Sequence, residues 1–493
     1  MRLKLLAFIT LLFSLPTMAT IARYNYSYYG DVIHSAPGMT FAMYFNGQSL
    51  GTNMLQDAED MIVYNNKIYI ISSLNNGLIV VNDRFELEKT YTQFKLSPEL
   101  KQKYISEGKS TADLTLNKPR GIEVKSHGIY IADSSNFRII KLNSMFEVVA
   151  VFDTVDDVTF ENIQFEPIKI TTDSTGRMYV VAKNIYEGIL ELDIDGSFNR
   201  YTGVNPLTLT PLEIFQRSFM TEEQIAKLPR FLPTEYTNVA MSDKNFIYAT
   251  SLPSDNNSDN MIQLINPKGI DVLKRNGYQV PKGDIEFVVG MNNYVIDGPS
   301  KLVDIAIYKN GIYTVLDQKR SRLFTYDSEG SLLYINGDIG SQSDRFAEGV
   351  AIDYLNDYLL VLDKRQATVV IYEHTEFGKK VNQAIAYHEQ GEFELAASVW
   401  EEVLTLNTNY EVAYNGIGKF YLRKGDYKTA LEYFNVGKDK FYYSKAFKQY
   451  RNQILKDNFG YIIGAIVLIP VVIGTVKLVK RGRKGEDFEW EKN

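Results

Sequence analysis

The sequence predicts a mainly β protein: a six-bladed β-propeller followed by a short α-helical segment and one transmembrane helix. Three observations predict this fold class. Segments with strand-like alternation recur six times, the hydrophobic period then changes to a helical one, and an uncharged apolar run lies near the C-terminus. Because the chain has 493 residues, it is too long for one core, and several domains are expected.

Composition excludes several classes of function. The chain has no cysteine, which rules out disulfides, thiolate metal sites and a cysteine nucleophile. Its net charge of −7 and its single short basic run, near the C-terminus, give no nucleic-acid signature. The four histidines are scattered and suggest neither a metal site nor a catalytic triad. No pattern in the chain demands an enzyme, and no catalytic residue is predicted.

The N-terminus has the three parts of a secretory signal peptide. Arg2 and Lys4 precede an apolar run over residues 5–15, and small residues follow Pro16. We therefore expect residues 1–19 to be a signal peptide, cleaved after Ala19 or Ala22. An uncleaved N-terminal anchor is the alternative.

The repeated unit is clearest over residues 118–143, KPRGIEVKSHGIYIADSSNFRIIKLN. Two alternating apolar runs surround a turn, and a third run follows a second turn, which predicts an antiparallel meander. Equivalent strand positions in the six copies are Tyr69, Tyr130, Tyr179, Tyr248, Tyr313 and Leu359. Their spacing of 46 to 69 residues suits four-stranded propeller blades over residues 23–376, whereas a solenoid would require caps and more regular spacing.

The last copy lacks a strand. It shows three strand-like runs, at 349–353, 358–363 and 368–373, while the fifth copy shows four. An open edge would invite aggregation, so a closed ring has to take its fourth strand from elsewhere. The segment near 39–47, containing MTFAMYF, is the candidate.

Two long insertions fall between an outer strand and the next inner strand, and therefore on one face of the ring. Residues 97–117 predict a short helix after Ser97-Pro98, and residues 203–233 contain a capping box at 221–224 that predicts another. The insertions are candidates for a lid or a partner-binding surface. Alternatively, they only cover strand edges.

Residues 377–456 are predicted to form tetratricopeptide-like helical repeats. A 34-residue self-match pairs small residues with small ones and aromatic residues with aromatic ones. The pairs are Tyr387 with Tyr421, Gly391 with Gly425, Phe393 with Tyr427, Ala396 with Ala430, and Trp400 with Phe434. Such arrays dock peptides or proteins; a rigid stalk is the other interpretation.

Residues 459–479 predict one transmembrane helix. At ~1.5 Å per residue the run crosses most of a ~30 Å hydrocarbon layer, and a membrane helix tolerates Pro470. Basic residues follow at once, so residues 480–493 are expected to form a cytoplasmic tail. The propeller and the helical repeats are then extracytoplasmic, in a single-pass protein of the cell membrane.

The repeats resemble those of the NHL-repeat propellers. The match is carried by Pro119, Gly121, Gly128, Tyr130, Asp133, Asn136 and Arg138, and in part by Asp317, Arg322 and Asp363. Mutual hydrogen bonding of an Asp, an Asn and an Arg around a turn is ordinary framework chemistry. We therefore interpret Asp133, Asn136 and Arg138 as structural residues.

The starts of the inner strands are the candidate ligand-binding site, because they meet at the mouth of the central channel. They place there Glu59, Asp60, Arg120, Lys169, Asn238, Asp304 and Glu348. Propellers of the gluconolactonase type hold a divalent cation at this place, and by resemblance Asp60, Asn238 and Asp304 are the alternative metal ligands, suited to Ca²⁺. Arg120 and Lys169 would compete with that cation, so ion pairs across the mouth, with no metal and no other cofactor, are the simpler interpretation.

Nearly the whole chain resembles a family of exported membrane proteins of Gram-positive bacteria. The resemblance is carried by YNYSYYGDV (24–32), FLPTEYTNVA (231–240), residues 298–334 and WEEVLTLNTNYEVAYNGIG (400–418). It implies association with carbohydrate-type ABC transporters and no assigned enzymatic activity. The resulting hypothesis is a non-enzymatic, membrane-anchored binding or scaffold protein with a glycan or protein ligand and a transport or envelope partner. The alternative is a metal-dependent propeller hydrolase of the lactonase type.

Overall fold

The computed structural model describes residues 24–161, 163–204, 219–220, 235–253, 258–284, 289–291, 294–296 and 298–489. The predicted signal peptide (1–19), the helix predicted from the capping box at 221–224 and the last four residues of the tail lie outside the described residues. The chain divides into two compact units. One comprises residues 1–390 with 406–408, and the other residues 391–405 with 409–493.

The first unit is built from six antiparallel sheets arranged as propeller blades, which confirms the predicted fold class. The first three blades each have four strands in sequence order. They are β4 (Ala58–Tyr64), β5 (Lys67–Ser72), β6 (Gly77–Val81) and β7 (Leu87–Tyr91); β10 (Gly121–Lys125), β11 (Gly128–Asp133), β12 (Arg138–Leu142) and β13 (Val148–Phe152); β14 (Pro167–Thr172), β15 (Met178–Ala182), β16 (Ile189–Leu192) and β17 (Phe198–Thr202).

The fourth blade shows three strands among the described residues, and the fifth shows four. They are β18 (Tyr236–Met241), β19 (Ile247–Ser251) and β20 (Ile262–Ile265), then β23 (Leu302–Ile307), β24 (Tyr313–Asp317), β25 (Arg322–Tyr326) and β26 (Leu332–Asn336). Short paired strands outside the blades are β1 (Tyr24–Tyr26) with β2 (Val32–His34), β8 (Gln93–Phe94) with β9 (Leu114–Thr115), and β21 (Val289–Met291) with β22 (Tyr294–Ile296).

The sixth blade is completed by the N-terminal part of the chain. Its own strands are β27 (Gly349–Leu355), β28 (Tyr358–Asp363) and β29 (Thr368–His374), and β3 (Met39–Asn46) pairs antiparallel with β29. Thr368 lies opposite Asn46, and His374 lies opposite Met39. The ring is therefore closed by hydrogen bonds between residues more than 300 positions apart.

The apolar core lies between neighbouring blades. Ile70 of the first blade and Leu360 of the sixth belong to one buried cluster, and Leu78 and Ile131 belong to the cluster between the first and second blades. Full burial of such a side chain is worth roughly 2–3 kcal/mol, so each blade is stabilised mainly by the two beside it. Among the described residues of this unit, two short α-helices lie between strands: α1 (Gly47–Leu50) and α2 (Pro98–Ser106), which begins after the N-cap Ser97 in the first insertion.

The helix α3 (Glu376–Gln390) follows the sixth blade directly and packs within the first unit. The hydroxyl of Tyr334 donates to the side-chain oxygen of Asn382 at 3.0 Å. Gly378 lies so close to Gly38 that an added Cβ would stand 1.9 Å from the carbonyl oxygen of Gly38. A glycine is thus required where this helix meets the segment that leads into β3.

The second unit consists of α4 (Phe393–Leu406), α5 (Glu411–Lys424), α6 (Tyr427–Val436), α7 (Lys440–Asp457) and α8 (Phe459–Glu489). Small residues on α5 allow close helix packing: a Cβ on Gly416 would lie 2.2 Å from Trp400, and one on Gly418 would lie 2.7 Å from Phe434. Residues 459–481 of α8 are mostly apolar and are not buried, so this helix is long and apolar enough to cross a membrane.

Candidate functional site

The six inner strands surround a central channel with a cavity of about 440 Å³. In each sheet the inner strand is the edge strand, and its hydrogen-bonding groups on one side face the next blade or the channel. Side chains alternate along a strand, so every second residue of an inner strand lies on the same face of its blade. The channel wall therefore consists of successive layers of side chains, one from each blade.

Irregular pairing at the start of the inner strands decides which residues form the first layer. In five blades the register between the inner and second strand shifts at this point, which places an extra residue before the first channel residue. From the pairing, the equivalent positions are Asp60, Gly121, Lys169, Asn238, Asp304 and Ala351. Four of the seven predicted site residues belong to this layer.

Asp60 and Lys169 form a buried ion pair across the channel. The Lys169 Nζ donates to Asp60 Oδ1 at 2.5 Å, and the side chains are only 10% and 9% exposed. Lys169 Nζ also lies 3.5 Å from the carbonyl oxygen of Glu59. Asn238 and Asp304 are paired in the same layer, because the Asn238 Nδ2 donates to Asp304 Oδ1. One ion pair, between Asp60 and Lys169, therefore crosses the channel in this layer.

Burial controls protonation in this layer. It raises the pKa of Asp304 to about 8; Lys169 opposes the shift, and the negative charge of Asp60 adds to it. Burial also raises the pKa of Asp60, and Lys169 offsets only part of that effect. For Lys169, burial acts to lower the pKa, but Asp60 and Asp304 outweigh it and the pKa is raised.

The channel carboxylates also accept hydrogen bonds from the backbone of the following blade. Asp60 accepts from the Ile122 N–H at 2.9 Å, Asp304 from the Ile352 N–H at 2.6 Å, and Asp353 from the Val63 N–H at 2.6 Å. These N–H groups belong to edge strands and would otherwise be buried without an acceptor, which costs free energy. The acids thus join one blade to the next.

The other three predicted residues do not reach this layer. Glu59 precedes the first channel residue and pairs with Lys364 at 2.5 Å, and Glu348 pairs with Arg365 at 3.2 Å. Arg120 is part-buried and is joined to the second blade by its backbone N–H, which donates to Ala132. The channel positions of the second and sixth blades are Gly121 and Ala351, which are too small to contribute a polar group.

Two acids in the next layer were missed by the sequence reasoning. Glu123 and Asp353 lie two residues beyond Gly121 and Ala351, on the same side of their strands. Burial raises the pKa of Asp353 to about 7, although the hydrogen bonds from the Val63 and Tyr354 N–H groups lower it. Burial also raises the pKa of Glu123, although Lys125, Thr171 and the Thr172 N–H oppose it. A period-two pattern leads to both from Gly121 and Ala351, but not from Arg120 and Glu348, the residues predicted at the mouth.

The cavity becomes more exposed towards the ends of the inner strands. Lys125, Tyr308 and Tyr354 line it there, and Lys309 and Asn356 are exposed at its edge. We refer to this part of the channel as the open end, and to the layer containing Asp60 and Lys169 as the paired end. The rings of Tyr308 and Tyr354 lie 4.6 Å apart, and the Lys125 Nζ lies 3.3 Å from Glu123 Oε1.

A groove of about 620 Å³ between the first and second blades adjoins the open end. Tyr64, Val124 and Lys125 line both spaces. The groove is rich in aromatic rings and lysines; its lining includes Tyr69, Tyr91, Phe146, Lys67 and Lys89. Together the cavity and the groove offer aromatic faces and charged groups of both signs.

The alternative metal ligands do not fit a cation as they are placed. The Lys169 ammonium occupies Asp60, and the N–H of the Asn238 amide faces Asp304. Within the described part of the chain, no group of three or more His, Cys, Asp or Glu side chains is placed to hold a metal ion. We derive no step that uses a metal.

The framework residues lie away from the channel. Asp133 is fully buried and accepts from Arg138 Nε and Asn136 Nδ2, each at 2.8 Å, and from the Asn117 N–H at 2.7 Å. All of these partners belong to the second blade or the loop that enters it. The cluster holds a turn and a loop together.

The protein has the fold of a six-bladed β-propeller. No family model and no curated protein matches the chain. Among solved structures, it is similar to virginiamycin B lyase from Staphylococcus aureus, with 13% identity, coverage of 64% of this chain and 80% of the other, and a TM-score of 0.37.

Other similar structures include a streptogramin B lyase (12% identity, 69% and 100% coverage, TM-score 0.40). A protein of unknown function from Bacteroides thetaiotaomicron is also similar (10% identity, 70% and 78% coverage, TM-score 0.42). At these identities the likeness concerns the fold alone.

Proposed function

We propose that the protein is a non-enzymatic, membrane-anchored binding protein that holds a saccharide-type ligand at the open end of the propeller channel. The observation that carries this proposal is the combination of tyrosine rings with Glu123, Lys125 and Asp353 around one cavity. Ligand sites are typically cavities of about 300–1,000 Å³ with a few convergent polar groups. The adjoining groove gives room for more than one sugar unit.

The chemistry of the open end suits a polyhydroxylated ligand. Aromatic rings pack against the apolar faces of sugar rings, while carboxyl and ammonium groups exchange hydrogen bonds with hydroxyls. Lys125 and Lys89 add positive charge, which favours saccharides that carry carboxylate or phosphate. The paired end contributes no such site, because its four polar residues are all buried, whereas Lys125 and Asp353 are only part-buried.

Oligosaccharide binding to the full chain in detergent micelles tests this proposal. A panel of neutral and uronic-acid-containing oligosaccharides should include one that raises the thermal unfolding midpoint, because a ligand at 100 times its Kd stabilises the native state by about 2.7 kcal/mol. Lys125→Met and Asp353→Asn should abolish the shift. Asp195→Asn, in an exposed hairpin away from the channel, is the matched control and should retain it. If no oligosaccharide shifts the midpoint, the proposal of a saccharide ligand is wrong.

A metal-dependent hydrolase of the lactonase type is the second candidate, although a cation at Asp60 would first have to displace the Lys169 ammonium. Asp353 and Asp304 have pKa values raised to about 7 and about 8 beside a cavity, and such groups are common in active sites. The metal content of the purified protein separates the candidates. A stoichiometric divalent ion that is lost in Asp60→Ala, Asn238→Ala and Asp304→Ala would contradict the binding-only proposal.

We further propose that the propeller is of the NHL type and that the helical segment consists of tetratricopeptide repeats that dock a transport or envelope protein. The Asp133 cluster supports the first assignment. Matched positions support the second: Ala396 and Ala430 are buried, and Gly391 and Gly425 both have a φ of 85°. Photo-crosslinking in native membranes tests the docking role. Recovery of no transporter or other envelope protein would count against it.

We propose an extracytoplasmic propeller and a cytoplasmic tail. There are five Lys and Arg residues in α7, before the apolar run of α8, and five in residues 477–484, at the C-terminal end of that run. The two charge counts are equal and therefore do not set the orientation of the chain across the membrane. We base the orientation on the signal-like N-terminus. Because the chain lacks cysteine, Asp195→Cys and Lys480→Cys report on it directly. An impermeant maleimide should label only the first in intact cells, and the reverse pattern would overturn the topology.

A further inference from the structure

The helix α7 leads directly into the apolar helix α8 and carries an exposed apolar stripe. Tyr443, Phe447, Tyr450 and Ile454 follow one another at intervals of four, three and four residues, so they lie on one face of the helix. Phe447 is 49% exposed and Ile454 is 43% exposed. The Tyr443 and Phe447 rings lie parallel, 6.5 Å apart.

This stripe differs from the face by which α7 packs on the helical unit. Ala446 is fully buried, and the Tyr442 ring stacks on Phe434 at 5.7 Å. These contacts occupy only the first half of the helix. From Arg451 onwards every residue of α7 is exposed. The C-terminal half of α7 therefore projects from the unit without cover from the described residues.

The charge on α7 is strongly positive. It carries five cations and a single acid, Asp457. The cations are Lys440, Lys445, Lys448, Arg451 and Lys456. A helix with aromatic and aliphatic residues on one face and Lys and Arg around it is typical of segments that lie in a membrane interface, where basic residues attract anionic lipid.

Chain connectivity places this helix beside the membrane. Only Asn458 separates the end of α7 from Phe459, the first residue of α8. If α8 spans the bilayer, the C-terminal half of α7 is held within a few residues of its surface. Aromatic residues are enriched at that depth, because their rings are amphipathic.

We propose that the stripe of α7 lies in the interfacial region of an anionic bilayer and seats the helical unit against the membrane. The proposal rests on α8 crossing the membrane, which is part of the proposed function. The long Lys and Arg side chains would reach the headgroups while the stripe enters the acyl boundary. The helical unit would then have a defined orientation relative to the membrane surface.

Nitroxide labels on the cysteine-free full chain test the proposal in vesicles of phosphatidylglycerol and phosphatidylcholine. Phe447→Cys places a label on the stripe, and Lys445→Cys places one about 160° away around the helix. The Phe447 label should collide several-fold more with oxygen, and less with a water-soluble nickel complex, than the Lys445 label. Both replaced side chains are exposed, so folding should be retained, which the helical circular dichroism of each variant checks.

A third label, at Val467→Cys in α8, separates this proposal from the membrane span itself. If the Val467 label lies in lipid and the Phe447 label behaves like the Lys445 label, the interfacial proposal is wrong and the span stands. If both the Val467 and Phe447 labels are in water, the span fails as well. A Phe447 label that is shielded in native membranes but water-exposed in pure lipid vesicles would point to a protein partner and would also overturn the proposal. Insertion should deepen as the phosphatidylglycerol content rises and weaken with added salt.

Discussion

Asp133 and Asp304 are both buried aspartates, yet they are stabilised in different ways. Asp133 is bound by Arg138, Asn136 and the Asn117 N–H, all within one blade and its entry loop. Asp304 accepts from its neighbour Ile305, from Asn238 of the fourth blade and from Ile352 of the sixth. One repeat is enough to compensate the first carboxylate, whereas the second requires three neighbouring blades.

The difference separates framework from channel. A local cluster can recur wherever its repeat recurs, and it says little about a ligand. A carboxylate held by three blades is sensitive to the placement of those blades, to its charged neighbours and to pH. Four predictions test this comparison.

Lys169→Met should have the largest effect, a loss of about 3–4 kcal/mol in the free energy of unfolding. It removes one partner of a buried ion pair and leaves Asp60 without its cation. Chemical unfolding of the full chain in micelles measures it. Lys183→Met, which removes a largely exposed pair with Glu166 in the same blade, is the control and should cost less than about 1 kcal/mol. Equal costs for the two variants would show that the channel pair is not special.

Asp133→Asn should cost about 2 kcal/mol, because a charge-assisted bond to Arg138 becomes a neutral one. The hydrogen-bond partners of Asp133 are not channel residues, so the free-energy cost of Asp133→Asn should add to that of Lys169→Met. Asp304→Asn, by contrast, should be non-additive with Lys169→Met, since Lys169 interacts electrostatically with Asp304. Double-mutant cycles measure the coupling energy of each pair of variants. A large coupling between Asp133 and Lys169 would contradict the separation of framework from channel.

The pH dependence of stability should reflect Asp304. Its pKa is raised in the folded state to about 8, above the ~3.9 of an unfolded aspartate, so its contribution is fully present below about pH 4 and is lost as pH rises towards 8. The free energy of unfolding should fall by about 1 kcal/mol per pH unit between roughly pH 5 and 7. Asp304→Asn should flatten the profile in that window, as measured by urea midpoints. An unchanged slope would mean that other groups set it.

Lys125→Met, at the open end, should have the smallest effect, below about 1 kcal/mol. Lys125 is one-third exposed, and its buried partner Glu123, 3.3 Å away, keeps the Thr171 hydroxyl and the Thr172 N–H as hydrogen-bond donors. Thermal unfolding of the variant measures this. A loss as large as that of Lys169→Met would show that the open end is structural rather than available to a ligand.

Much of the fold was predictable because it depends on local periodicity. The recurrence of Tyr69, Tyr130 and their equivalents indicated six blades, and the missing strand after residue 373 indicated an outside contribution that β3 supplies. The helix after Ser97 followed from its capping residue. These features depend on side-chain alternation, strand counting and helix capping, all of which are visible along the chain.

The candidate site was predictable only in part. Asp60, Lys169, Asn238 and Asp304 were placed at the channel because they begin inner strands. The register shifts that separate Glu59 from Asp60 are not visible in the sequence, and neither is the alignment that puts Gly121 and Ala351 where Arg120 and Glu348 were expected. A difference of one residue turns a side chain to the other face of a strand.

Patterns of neighbouring residues were enough to predict the repeated blade, the number of blades, the helical segment and the apolar C-terminal helix. The set of polar side chains that meet in the channel, in contrast, depends on the tertiary structure. Residues as distant as Asp60 and Lys169 become partners when six edge strands converge on one axis. Their pKa values, and the contrast between a paired end and an open end, follow from that convergence and from the burial it imposes.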